Sequence, residues 1–380
     1  MSLRETLSNY WYAFQQELFP RLETEFGPLG GRYELFVAVI EFVRLETLLP
    51  SMCSLPGRPP QDRAALARAF IAKAVFDIAT TRALIERLQV DRTLHRLCGF
   101  SSACRLPSEA TFSRGFAEFA DSALASRLHE ALVTRTMKDH LVGHISRDAT
   151  AIAGREKPLP KVPGPRRTKH RRGRPRKGEQ RSKELPRLQR QLAMTLPQML
   201  DELPKPCDVG VRTNARGVLE KWVGYKLHVD AADGGVPVSC ILTSASLHDS
   251  QAAIPLARLT AGRVSNLYDL MDAAYDAEEI RTHSRDLGHV PIIDSNPRGS
   301  GQRREAIRCE AAARRALGYV FPEQRRYHER TTVERVYARL KEEFGGRHVR
   351  VRGHAKVLCH LMFGILALAV SQLMRLLPPP

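Results

Sequence analysis

Two runs decide the fold class: Trp222-Val223-Gly224-Tyr225-Lys226-Leu227-His228-Val229-Asp230 and Val236-Pro237-Val238-Ser239-Cys240-Ile241-Leu242-Thr243. Both are rich in β-branched and aromatic residues, and Ala232-Asp233-Gly234-Gly235 between them is a turn sequence, so they predict a β-hairpin. Upstream, the short apolar alternation of His144-Ile145-Ser146-Arg147-Asp148-Ala149-Thr150-Ala151-Ile152 predicts another strand. Downstream, Ser265 to Met271 reads as a strand, Ala277 to Arg285 as a helix and His289 to Ile293 as a strand. Asp249 is expected to cap a helix that runs to about Leu259 and kinks at Pro255. Strands that alternate with helices after an opening hairpin predict an α/β fold with a mixed sheet.

Residues 1 to 140 differ in character. Apolar residues three and four apart, as in Ala64, Leu66, Phe70, Ile71, Ala74 and Val75 and again in Leu84, Ile85 and Leu88, predict an all-helical N-terminal domain. Thr80 or Thr81 can cap one helix, and Ser108 another that carries Phe112, Phe116 and Phe119. With Thr111, Ser113 and Arg114 on that last helix, the segment reads either as a helix-turn-helix that docks on DNA or as a plain helical bundle.

The second domain, 141–377, is interrupted by a basic insertion at 155–206. From Arg155 to Arg190 there are fifteen Lys/Arg against three acids, Glu156, Glu179 and Glu184. Five prolines and two glycines between Gly154 and Gly178 predict a flexible surface segment. The whole chain of 380 residues has a formal net charge of +18 and a pI near 10.0. A polyanionic partner follows, with nucleic acid ahead of an anionic membrane surface.

Seven cysteines form no C-x-x-C pair and no matched Cys/His spacing, so neither a zinc finger nor a disulfide framework is suggested and reduced thiols are expected. Residues 1–31 have no uninterrupted apolar core of the kind a signal peptide needs. The apolar run from Val357 to Leu377 contains His360, Gln372 and Arg375, so a helix buried in a protein core, with no membrane partner, is expected. His248, His283 and His289 are acid/base candidates only as any histidine is, and a structural role is expected.

The sharpest local pattern is Tyr327-His328-Glu329-Arg330-Thr331-Thr332-Val333-Glu334-Arg335-Val336-Tyr337-Ala338-Arg339-Leu340-Lys341, free of Gly and Pro and rich in helix formers. On one helix, at about 100° per residue, Tyr327, Arg330, Glu334 and Lys341 fall on a stripe about 60° wide. A phenol, a guanidinium and an ammonium around one carboxylate suit a surface on which Glu334 binds a metal and the others grip phosphates. Ordinary i,i+4 pairing of Arg330 with Glu334 on an exposed helix is the plainer reading of the same residues.

The spacing Tyr-x2-Arg-x3-Glu-x6-Lys resembles the YREK motif of transposases of bacterial insertion sequences, the insertion-sequence-four-like family. That family's core resembles ribonuclease H, with an Asp on the first strand, a second Asp ending the fourth and the Glu on a later helix. By this resemblance the catalytic and metal-binding residues are Asp148, Asp272 and Glu334. Asp148-Ala149-Thr150 stands where the family more often has Asp-Gly-Thr, and Asp272-Ala273-Ala274-Tyr275-Asp276 is similar to its Asp-x-Gly-Tyr-Asp. Gly224-Tyr225-Lys226 and His248-Asp249-Ser250 also look like the family's hairpin strand and helix cap. Of the acids beside Asp272, Asp269 would sit inside the strand and Asp276 reads as the next helix cap.

The resemblance implies a DNA transposase that cuts element ends and transfers strands into target DNA. Three converging carboxylates would repel one another unless a pair of divalent ions, Mg²⁺ or Mn²⁺, were held between them. The implied partners are terminal inverted repeats and target DNA, gripped by Tyr327, Arg330 and Lys341. A homodimer on DNA and a cytoplasmic, nucleoid-associated location are likewise implied. Within the insertion, Arg172-Gly173-Arg174-Pro175-Arg176-Lys177 resembles the AT-hook core, so Arg172, Arg174, Arg176 and Lys177 are DNA-binding candidates in a minor groove or on phosphates. Two competing expectations are a non-catalytic DNA-binding protein derived from a decayed transposase and a nuclease without a joining step.

Overall fold

A computed structural model describes residues 3–49, 61–101, 106–160, 185–213, 217–297 and 300–376. At its centre lies a mixed sheet of β1 (Leu141–Ala153), β2 (Asp208–Thr213), β3 (Leu219–Ala232), β4 (Pro237–Ser244), β5 (Ser265–Met271) and β6 (Val290–Ile293). The order across it is β2-β3-β1-β5-β6, and β4 also pairs with β3. β2 lies opposite 219–224 of β3 and β4 opposite 225–231, both antiparallel. β1 is antiparallel to β3 and parallel to β5, and β5 is parallel to β6. The strands read from the sequence are present, while β2 is a short addition with Val209 and Val211 exposed.

Side chains alternate between the faces of a strand, and β1 uses both. One face carries the helices Leu196–Glu202, Ala253–Ala261 and Glu278–Asp286, which enclose Met199, Ile254, Met271, Tyr275 and Ile280. On this side Arg147, 1% exposed, donates from Nε and Nη2 to Asp230 at 2.8 and 2.7 Å, and Thr260 donates to the same carboxylate at 2.6 Å. The other face receives the Thr331–Glu343 helix and, behind it, the C-terminal helix His354–Arg375.

That C-terminal helix joins the two parts of the molecule. It packs on Gly31–Val43, Arg63–Val75, Glu109–Asp121 and Leu124–Met137 from the N-terminal half and on β4 from the sheet. A single apolar cluster consequently runs from Leu7 through Phe70, Phe116 and Phe363 to Ile145, Leu227 and Val238. The helix is long and apolar enough to cross a membrane by length and composition, with a mean hydropathy of 2.0, and 83% of that apolar window is buried within the protein. Each aliphatic or aromatic side chain so buried contributes about 1.5–3 kcal/mol. Phe112, Phe116 and Phe119 all meet Phe70, so that face of Glu109–Asp121 is core, with Ser108 capping the helix as its sequence implies.

Several local expectations are corrected. Within the supposedly flexible 155–206, residues 187–193 and 196–202 are helices; a capping box joins Thr195 and Gln198, and Met199 is fully buried. Asp249 does not cap an α-helix: it opens a 3-10 turn, Asp249–Ala252, and the α-helix that follows starts at Ala253. Pro255 therefore lies in that helix's first turn, where a missing N–H costs little and no kink arises. Asp276 is not a cap either, since it accepts instead from Arg281 Nη2 and from the Asn296 amide, both at 2.9 Å. The expected single helix from Tyr327 to Lys341 is Pro322–Tyr327, a 3-10 turn at His328–Arg330, and Thr331–Glu343.

Candidate active site

Parallel pairing aligns Arg147 of β1 with Met271 of β5, so the next residues, Asp148 and Asp272, stand side by side where β5 ends. Because faces alternate, Arg147 points toward Asp230 and Asp148 toward the Thr331–Glu343 helix. Three bonds pin the helical segment along β1 on that face. Ser146 Oγ donates to the Glu329 carbonyl at 3.0 Å, the Tyr337 hydroxyl donates to the Asp148 carbonyl at 2.5 Å, and Lys341 Nζ donates to Thr150 Oγ1 at 2.7 Å. Positions 146, 148 and 150 are two apart, as one strand face requires. The segment that carries Glu334 is thus held in register with the strand that carries Asp148.

Arg330, its side chain 18% exposed, is the cation in the middle. Nη1 lies 3.6 Å from Asp148 Oδ2, and Nη2 donates to Glu334 Oε1 at 2.8 Å. Its guanidinium carbon stands 5.8 Å from the Tyr327 ring. Burial pushes the Asp148 carboxyl up to about 7, despite the Ala149 amide and Arg330; the charges of Asp272 and Asp249 raise it further. Asp272 is raised by burial too, although the Ala274 amide, 2.9 Å away, and Arg330 oppose the shift. Burial, with Asp294 nearby, raises Tyr327 to about 12. Burial lowers Lys341, as do Arg212 and Arg347.

Of the residues expected from sequence, Asp148, Asp272, Arg330 and Tyr327 are brought together. Glu334 is held on the far side of Arg330, with its side chain 54% exposed. Lys341 lies farther along β1. Among the described residues, no three His, Cys, Asp or Glu side chains are gathered closely enough to hold a metal ion with the side chains placed as they are. Arg172, Arg174, Arg176 and Lys177 lie outside the described residues. Asp269 faces away, bound by Ser284 Oγ at 2.7 Å, Asn266 Nδ2 at 3.1 Å and His289 Nδ1 at 3.3 Å. His289 is thereby structural. His283 is buried too, and burial lowers it to about 4.

Sequence reading missed two neighbours. Asp249 pairs with Lys226 Nζ at 2.9 Å, and its turn packs on Ala273–Tyr275, directly after Asp272. Tyr275 is 1% exposed, its hydroxyl has no hydrogen-bond partner among the described residues, and Asp249, Asp148 and Asp272 all act on it electrostatically. The signal for Asp249 was in view, in His248-Asp249-Ser250, but an acid before a helix reads equally well as a cap. Lys226 is placed by Gly224: at φ +149°, an added Cβ there would lie 2.2 Å from the Ile152 carbonyl oxygen, so only glycine permits the approach of β3 to β1.

The donor set is oxygen only, carboxylates with Arg330 and Lys226 as the cations beside them. Such a set fits a hard divalent cation. The fit requires Glu334 to exchange Arg330 for the ion, a side-chain movement open to a half-exposed residue.

Two family models match the chain, described as "Transposase DDE domain" over residues 208–370 and "Transposase domain (DUF772)" over residues 22–118. No curated protein and no solved structure gives a match. The DDE match starts at β2, so Asp148 lies outside it and is joined to the matched region by the pairing of β1 with β3 and β5.

Proposed function

We propose that this chain, two segments of which match models of transposase domains, is a DNA transposase of the cut-and-paste kind, with Asp148, Asp272 and Glu334 as its metal-dependent catalytic triad. One observation carries the reading: Asp148 on β1 and Asp272, just past the end of the parallel neighbour β5, stand side by side, with Arg330 linking Asp148 to Glu334 on a helix bonded to β1. The order β4-β3-β1-β5-β6, antiparallel in its first half and parallel in its second, supports a ribonuclease-H-like core.

Two Mg²⁺ or Mn²⁺ ions held by these carboxylates would supply an activated water or 3′-hydroxyl and neutralise the leaving oxygen. The chain's own residues do the rest. Arg330, released from Glu334, is free to take a scissile phosphate bidentately while remaining near Asp148. Tyr327 supports the guanidinium from below. Lys341, beside Arg212 and Arg347, holds the backbone of the terminal inverted repeat or target farther along. Dimerisation on paired ends and action at the nucleoid belong to the same proposal.

Asp148→Ala, Asp272→Ala and Glu334→Ala should each abolish Mg²⁺-dependent cleavage of terminal inverted repeats and leave DNA binding in place. Retained cleavage in any one of them would sink the assignment. A second reading, a DNA-binding protein derived from a decayed transposase, is favoured by the Arg330–Glu334 pair and the ungathered acids. It predicts salt-sensitive binding with no metal-dependent turnover.

A further inference from the structure

Where the helical half meets the segment after the Thr331–Glu343 helix, two adjoining hollows of about 500 and 370 Å³ share Ser113, Phe116, Arg155, Arg350 and Val351 as walls. Their rims are basic. Arg155, Arg350, Arg352 and Lys356 are exposed, and none has an ion pair or side-chain hydrogen bond among the described residues. Other arginines at the surface do pair, as Arg63 with Glu118 and Arg347 with Glu342. Of the acids present, Glu109 lies 3.4 Å from Arg82, and Asp77, which faces His348 at 4.0 Å, is the one whose charge reaches Lys73.

Two deeper features point to an anion. Lys73 lines the larger hollow with only 9% of its surface exposed, and its ammonium makes no hydrogen bond or ion pair among the described residues. Burial pushes it down to about 8, against the nearby charge of Asp77. Burying an ammonium without a partner is costly, and a phosphate reaching into the hollow removes that cost. Thr80, Thr81 and Arg82 bring to the same wall the N-terminus of the ten-residue helix Thr81–Val90, the positive end of its dipole.

We infer that this cleft grips the phosphodiester backbone of duplex DNA outside the reacting step, with Lys73, Arg155 and Arg350 as its phosphate contacts. The inference rests on the transposase reading. An extended polyanion is favoured over a single phosphate because the unpaired cations form a track. Arg155 lies two residues past the end of β1 and seven past Asp148, at most about 23 Å at ~3.3 Å per residue. That is about two-thirds of a turn of duplex. Lys341, held on Thr150 with Arg212 and Arg347 nearby, fills the interval. Glu156, which accepts from the Gly353 amide at 3.1 Å, holds the chain beside Arg155 against the chain beside Arg352.

The test is the salt dependence of DNA affinity of the full chain, followed by fluorescence anisotropy on duplexes of about 30 and about 8 base pairs. Each lost phosphate contact lowers the slope of log K against log salt by about 0.9. Arg155→Ala/Arg350→Ala should lower the slope by about 1.8 and weaken binding at least tenfold on the long duplex, with little change on the short one. Lys73→Met should lower it by about 0.9, and Lys73→Arg should restore it. A native-like melting curve for the exposed double variant keeps the result independent of whether Lys73→Met folds. An unchanged slope in that variant, while wild type binds in a salt-dependent way, overturns the cleft and leaves the transposase reading standing. Failure of wild type to bind DNA overturns both. If millimolar inorganic phosphate fills the cleft and the double variant keeps its DNA slope, a small-anion site replaces the backbone grip.

Discussion

Asp148 is a carboxylate placed where its charge is poorly tolerated. Its folded-state pKa, about 7, lies above the value of about 4 it has in an unfolded chain. A group shifted in this direction binds its proton more tightly in the folded protein, so its burial destabilises the fold above about pH 7. The penalty fades as pH falls from about 7 to about 4. Asp148→Asn should therefore stabilise the metal-free protein by about 1 to 3 kcal/mol at pH 8, by denaturant titration in chelator, and the gain should shrink toward zero near pH 4. A variant no more stable at pH 8 than wild type would show that the Arg330 guanidinium already balances the charge. At this scale the sequence was informative where a residue type and a strand position coincide, as for Asp148 and Asp272. It was silent on Asp249, because a carboxylate ahead of a helical segment fits a cap and a site acid equally well. Only the pairing with Lys226 and the packing against Ala273–Tyr275 separate the two.

Among the elements, the period of apolar residues located β1, β3, β4, β5 and β6, since a half-buried strand writes its burial into its sequence. The stretch from Tyr327 to Lys341 shows the limit of that code. Every residue in it favours a helix, but the 3-10 turn at His328–Arg330 advances the chain faster than the α-helical angle assumes. Arg330 is thereby set over Asp148 while Glu334 stays half exposed. The helical segment 187–202 was hidden for a different reason: the prolines and basic residues before it set the average composition of the whole insertion. Close approach is a further property that periodicity does not record. Gly364 of the C-terminal helix lies so near the end of the Thr331–Glu343 helix that an added Cβ would stand 2.5 Å from the Phe344 carbonyl oxygen. Gly364→Ala should cost about 1–3 kcal/mol, read as a lowered denaturation midpoint. Because the strained contact is at the far end from Glu334, residual cleavage at low temperature is expected. An unchanged midpoint would mean that the two helices can part without loss.

Over the whole molecule, buried and half-buried histidines add polar contacts to the apolar cluster, one of them across the two halves. His129 Nε2 donates to the Pro237 carbonyl at 2.9 Å across the junction of the helical half and the sheet, while the half-buried His360 Nε2 donates to the Gly345 carbonyl at 3.0 Å within the second half. His228 meets Thr243 Oγ1 at 2.9 Å inside the sheet. Burial holds His129 down to about 3, and His228 and His360 to about 4. These groups stay neutral in the fold, whereas the unfolded chain takes up protons from about pH 6.5, so stability is present above that value and is lost as pH falls toward 4. Each can contribute up to about 1.4 kcal/mol per pH unit in that window, opposed in part by Asp148. His360→Gln, which keeps a donor, should flatten the acid limb of the stability curve, and a limb as steep as wild type would assign the loss to other groups. That the halves share one core was not legible, because the sequence of the C-terminal helix reports only that it is buried and not by whom.

Residues 146, 148 and 150 of β1 face one way and Arg147 the other, and this leaves the strand intolerant of changes in length. Deleting or inserting one residue between 141 and 146 would, if the upstream pairing kept its place, exchange the two faces. Arg147 would enter among the site carboxylates and Asp148 would be driven against Asp230, so a single codon would remove the chemistry and the buried ion pair together. Copies of the gene drifting without selection should therefore die early by indels in this strand, while those that still move should hold its length fixed.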